Sequence, residues 1–116
     1  MKLYAFDVDE TLDFSGGPIT VDMLVELRQD NILGLCGNWA MVTRSPNWYK
    51  LFSFVGPIGG VSKEEHLIQL KRYIPADDHI MVGNILNVTG LSDDKGAAER
   101  SGWRFISERE FARGTR

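Results

Sequence analysis

The sequence predicts an α/β fold in three layers, with a parallel sheet of about five strands and helices on both faces. Three observations predict it. Short apolar runs alternate with longer segments of helical periodicity, the runs close on small or polar residues such as Asp7, Gly37 and Gly83, and 116 residues suit one domain, 1–116. Such alternation is the signature of successive β-α-β units.

The first run, Lys2 to Val8, is an apolar and aromatic strand that delivers a carboxylate to its tip. Asp13 to Pro18 is rich in turn formers, after which Thr20 caps a helix that buries Val21, Leu24, Val25 and Leu27 and finishes near Asp30. Ile32 to Cys36 reads as a second strand, and Ser45-Pro46 as the cap and first position of a short helix over Asn47 to Leu51. Phe52 to Val55 is the third predicted strand. Ser62 and Glu65 have the reciprocal spacing of a capping box, which starts a helix that Pro75 stops. His79 to Val82 is a fourth strand, Asp94 to Ser101 a helix closed by Gly102, Trp103 to Ile106 a fifth strand, and Ser107 with Glu110 caps a terminal helix. The whole reads as a Rossmann-like arrangement with right-handed crossovers.

Composition narrows the function classes. The chain is 43% hydrophobic and 25% charged, and a domain of this size buries roughly two-thirds of its unfolded surface, which argues against disorder. Thirteen basic against sixteen acidic residues give a net charge of −3, so general nucleic-acid binding is disfavoured. No apolar run approaches the roughly 20 residues of a membrane span. The single Cys36 forms no disulfide within the chain, and no basic and apolar leader opens it, so the expected setting is cytoplasmic. Asn87-Val88-Thr89 matches a glycosylation acceptor by chance on that reading.

In a parallel sheet the ligand crevice lies at the carboxyl ends of the strands, where the strand order switches. Asp7 and Asp9 stand there, two carboxylates at i and i+2 on one side of an extended chain. Like charges that close require a cation or a shared proton, so the pair invites a metal or acid/base work. Gly37 and Asn38 follow the second strand, Lys63 opens a capped helix, and Asn84 follows the fourth strand with Asp93 and Asp94 beyond. Cys36 reads as a buried strand residue, Trp39, Trp48 and Tyr49 as core aromatics sooner than a base-stacking platform, and His66 and His79 lack partners for zinc.

The stretch Asp7-Val8-Asp9-Glu10-Thr11 after an apolar strand resembles the first motif of the haloacid dehalogenase (HAD) superfamily, in its phosphatase branch. The resemblance implies a small HAD-like hydrolase without a large cap. It implies a catalytic set of Asp7 as nucleophile, Asp9 as general acid and base, and Lys63 as the cation steadying nucleophile and phosphate. It also implies Mg²⁺ held by Asp7, the carbonyl of Asp9 and two residues of a later motif, here Asn84 and the acid Asp94, with Asp93 the close alternative. Substrate contacts fall to Thr11, Gly37, Asn38 and Lys63. Two positions depart from the pattern: Gly37 stands where Ser or Thr is usual, leaving backbone amides and Asn38 to cradle phosphate, and Asn84 stands where an acid is usual. The spacer Ile85 to Ser92 is longer than usual.

Mg²⁺ is needed on electrostatic grounds, since a carboxylate meeting one phosphate charge at about 4 Å costs roughly 4 kcal/mol at an effective dielectric near 20. The expected function is therefore a Mg²⁺-dependent phosphoester hydrolase acting on a phosphorylated small molecule or macromolecule, with no membrane partner and with homo-oligomers left open. The alternative is a weak or inactive relative that binds metal or phosphate and acts through a partner. A response-regulator receiver domain lacks its acceptor, because Val55-Gly56-Pro57 carries no Asp.

Overall fold

The computed structural model describes residues 1–90 and 92–116; Leu91, within the spacer Ile85 to Ser92, lies outside the described residues. Four strands, β1 (Lys2–Phe6), β2 (Ile32–Leu35), β3 (Asp78–Gly83) and β4 (Arg104–Ser107), form one all-parallel sheet in the order β2-β1-β3-β4. The helices are α1 (Val21–Arg28), α2 (Trp48–Leu51), α3 (Lys63–Tyr73), α4 (Asp94–Arg100) and α5 (Glu108–Ala112).

Alternation along β1 divides the core. Tyr4 and Phe6 face a cluster with Leu24 of α1 and Phe111 of α5, while Leu3 and Ala5 face Leu67 and Leu70 of α3 and Ala97 and Ala98 of α4. Both faces of the sheet are thus covered, as a parallel sheet requires. Three predicted caps form as local bonds: Thr20 Oγ1 accepts from Met23 N at 3.3 Å, Ser62 Oγ from Glu65 N at 3.1 Å, and Ser107 Oγ from Glu110 N at 3.2 Å.

The sheet has four strands, one fewer than expected. Phe52 to Val55 makes only a single parallel bridge, Phe54 to Gly34, carried by Leu35 N to Phe54 O at 3.0 Å and Ser53 N to Leu33 O at 2.7 Å. The N–H of Phe52 is taken by Trp48 O of α2, and Pro57, which has no N–H, ends the run. The predicted cap of α2 also moves. Ser45 closes a 3-10 turn over Trp39–Arg44, and Asn47, in the left-handed region at φ 63°, is the N-cap.

Candidate active site

β1 and β3 are neighbours whose onward connections run to opposite sides, β1 to β2 and β3 to β4, so a crevice opens at their carboxyl ends. A cleft of about 350 Å³ lies there, lined by Asp7, Asp9, Glu10, Gly37, Asn38, Pro57, Lys63, Asn84 and Ser92.

Asp7 follows β1 and is held at its backbone by Asp7 N to Val82 O at 2.9 Å. The chain then turns sharply, because Val8 O accepts from Thr11 N and Leu12 N at 3.1 and 3.0 Å and Glu10 sits at φ 59°. That turn brings Thr11 Oγ1 to Asp7 Oδ2 at 3.2 Å and leaves Asp9 exposed on the cleft. The two carboxylates therefore share a cleft but not an environment. Burial and the facing charge of Asp94 push Asp7 up to about 6, with Lys63 opposing.

Lys63 occupies the first position of α3, and its ammonium donates to Asp7 Oδ1 at 2.8 Å, Asp94 Oδ1 at 2.8 Å and Ser92 Oγ at 2.9 Å. Burial works against its charge, but the two carboxylates outweigh this and hold the amine well above the ordinary lysine range. Asp94 is fully buried, and its Oδ2 accepts from Asn84 N at 2.9 Å while Oδ1 accepts from Ser92 Oγ at 3.0 Å and from Lys63. Of the two acids considered after β3 as metal ligands, Asp94 is joined to Asp7 through Lys63 but lies behind the cleft, not on it, with Oδ1 taken by Lys63 and Ser92 and Oδ2 by Asn84 N. Asp93 is exposed, caps Gly96 N at 3.1 Å and faces Arg100 at 3.6 Å.

Gly37 gives the cleft space in place of a donor. Its N–H is bonded to Gly56 O at 2.9 Å, so it is not available to cradle a phosphate, and a Cβ built on it would stand 2.5 Å from Asp7 Oδ1. Asn38 lines the cleft and is exposed, whereas Thr11 is buried and reaches Asp7, not the cleft.

The residues missed in sequence are Ser92 and Glu108. Glu108 is buried one position beyond β4, where its Oε2 accepts from Asn84 Nδ2 at 2.8 Å and Thr89 Oγ1 at 3.1 Å. Its position just past a strand end was the signal, by the same rule that singled out Asp7 and Asn84. Cys36 is buried and its thiol is pushed up to about 12 by burial, which makes it inert. The rings of His66 and His79 each face a backbone carbonyl, Leu35 O and Ile74 O.

No group of three or more His, Cys, Asp or Glu side chains that could hold a metal occurs among the described residues. Side-chain oxygens on the cleft include the carboxylates of Asp7, Asp9 and Glu10, the amide of Asn84 and the hydroxyl of Ser92. This donor set fits a hard cation held loosely by one or two carboxylates, waters and a substrate phosphate, the habit of Mg²⁺, and not a closed cage. Comparison with family models, with curated proteins and with solved structures finds no match for the chain. Among the described residues, no helix is long and apolar enough to cross a membrane.

Proposed function

We propose that the chain is a HAD-type, Mg²⁺-dependent phosphoester hydrolase. The observation that carries the reading is the array at the cleft floor: a buried Asp7 bridged to Asp94 by the Lys63 ammonium, with an exposed Asp9 two residues on. A nucleophile and a proton-transfer group are thereby separated by environment within one short loop.

Asp7 attacks phosphorus in line, forming an aspartyl-phosphate as the bond to the leaving oxygen breaks. Asp9, free in the cleft, gives that oxygen its proton and then takes one from the water that opens the intermediate. Thr11 and Lys63 fix the Asp7 carboxylate through Oδ2 and Oδ1, and Lys63 offsets charge on the transferred group. Asp94 acts through Lys63, holding the ammonium from behind. Mg²⁺, when bound by Asp7, the Asp9 carbonyl and Asn84, supplies charge neutralisation for the incoming phosphate.

The test is release of inorganic phosphate from a panel of phosphoesters, with Mg²⁺ and with chelator, by wild type and Asp7→Asn. Release that requires both Mg²⁺ and Asp7 is expected. A folded wild type that releases none across small and macromolecular substrates moves the reading to a metal- or phosphate-binding protein acting through a partner. One observation favours that second reading: all three Lys63 N–H groups are already engaged within the protein.

A further inference from the structure

Glu108 is 1% exposed, and its Oε1 has no hydrogen-bond partner among the described residues; the Arg109 guanidinium stands 3.9 Å from it. A buried carboxylate with one oxygen unpaired is a poor stabilising device, and such groups call for another explanation. The other oxygen supplies one. Oε2 accepts from Asn84 Nδ2 at 2.8 Å and from Thr89 Oγ1 at 3.1 Å, and Thr89 Oγ1 accepts from Ile85 N at 2.8 Å.

An amide side chain carries a donor end and an acceptor end, whereas an ionised carboxylate only accepts. Facing Glu108, Asn84 must turn its NH₂ inward, which leaves Oδ1 as the polar atom for the cleft that Asn84 lines. We propose that Glu108 is a positioning residue that turns Asn84 so that an oxygen, not an N–H, faces the cleft, and that it is the reason position 84 carries a neutral side chain. The catalytic consequence rests on the hydrolase reading: an acceptor on that wall recruits a cation, where a donor would bind the phosphate itself. A carboxylate at position 84 would instead meet the Glu108 carboxylate at the present 2.8 Å, two like charges in a buried place. Glutamine at 108 would reverse the logic by offering an N–H to an aspartate at 84.

The experiment is a double-mutant cycle on the whole chain, with wild type, Asn84→Asp, Glu108→Gln and the double variant compared by melting midpoint. The Asn84 side-chain amide resonances of wild type and Glu108→Gln are compared as well. Asn84→Asp alone should lower the midpoint by at least about 5 °C, and adding Glu108→Gln should return it to within about 2 °C of wild type. The amide resonances should be dispersed and protected in wild type and shift in Glu108→Gln. In phosphate release, Glu108→Gln should raise the Mg²⁺ concentration for half-maximal activity about tenfold, the scale of a lost ligand-orienting contact. Additive melting losses in the double variant, or Asn84→Asp melting with wild type, overturns the proposal. A wild type silent towards phosphoesters sinks the hydrolase reading alone, because the melting cycle and the amide resonances still decide the role of Glu108.

Discussion

Asp7 sits where its own charge is disfavoured, and this has a measurable signature. Burial and Asp94 raise its pKa from the ordinary 3.8 to about 6, a shift of roughly 3 kcal/mol between its two protonation states. The folded protein then binds the proton more tightly than the unfolded chain. The contribution of Asp7 to stability is full below about pH 4, declines as pH rises towards 6, and is lost above it. Asp7→Asn should remove this decline and leave the variant more stable than wild type at pH 7.5, by up to about 3 kcal/mol, and on the hydrolase reading it should also abolish phosphate release. Urea midpoints for both proteins from pH 3.5 to 8 check it, and parallel pH profiles would contradict it. Gly37 belongs to the same neighbourhood. A Cβ there would press on Asp7 Oδ1 at 2.5 Å, and Lys63 holds that oxygen in place. Gly37→Ser therefore adds a hydroxyl to the cleft yet displaces the Asp7 carboxylate, and on the hydrolase reading phosphate release is expected to fall by about 100-fold, the scale of an ångström of misplacement. A serine variant faster than wild type would show that the carboxylate has room to move.

Lys63 reaches Asp7 only because α3 begins at that residue, and the start of α3 is fixed by Ser62 accepting from Glu65 N at 3.1 Å. Ser62→Ala should cost about 1 kcal/mol, a melting loss of about 4–8 °C, and Ser62→Gly only a few tenths of a kcal/mol. Because the frayed turn carries the ammonium, phosphate release should drop in Ser62→Ala by more than the stability loss explains at a temperature where the variant is fully folded; unchanged turnover there would separate the cap from the site. This element was legible in the sequence for a physical reason: a cap is a bond between residues three apart, and so are those at Thr20 and Ser107. The strand tips were legible too, since a parallel sheet sends Asp7, Gly37 and Asn84 to one edge whatever the strand order. What was not legible depended on distant partners. Phe52 to Val55 has strand composition, but it meets β2 only through Ser53 N to Leu33 O and Leu35 N to Phe54 O, a matter of how two distant segments approach. Glu108 falls inside the terminal helix predicted from Ser107 and Glu110, and its bond to Asn84 exists only because β4 lies beside β3. Gly37 could be seen to lack a hydroxyl, but that its N–H is bonded to Gly56 O follows from how two loops meet.

At the scale of the whole molecule, the sheet divides two apolar clusters, and the cleft opens where the connections from β1 and β3 part. The segment between β1 and α1, where an inserted lid would stand, is instead drawn tight. Leu12 bridges Ile19, and a Cβ at Gly17 would meet the Thr11 backbone at 2.1 Å. A cleft of about 350 Å³ is at the small end for ligand sites, enough for a phosphoryl group and the atoms next to it. Most of any larger substrate must then lie outside it and contribute little to recognition. On the hydrolase reading, kcat/KM should follow the phosphoryl group and the leaving-group pKa, not substrate size. Across a small alkyl phosphate, a nucleoside monophosphate and a phosphopeptide of matched leaving-group pKa, values should agree within about tenfold, a spread of 1.4 kcal/mol. Phosphate-release rates over that series check it. A preference above about 100-fold for one class would mean that contacts outside the cleft supply roughly 3 kcal/mol, and the exposed Ile58, Leu86 and Val88 would be the first side chains to replace. Agreement across the series would instead assign discrimination to the floor of the cleft, where Asp7 and Lys63 face the phosphoryl group and Asn84, turned by Glu108, presents its oxygen to the cation.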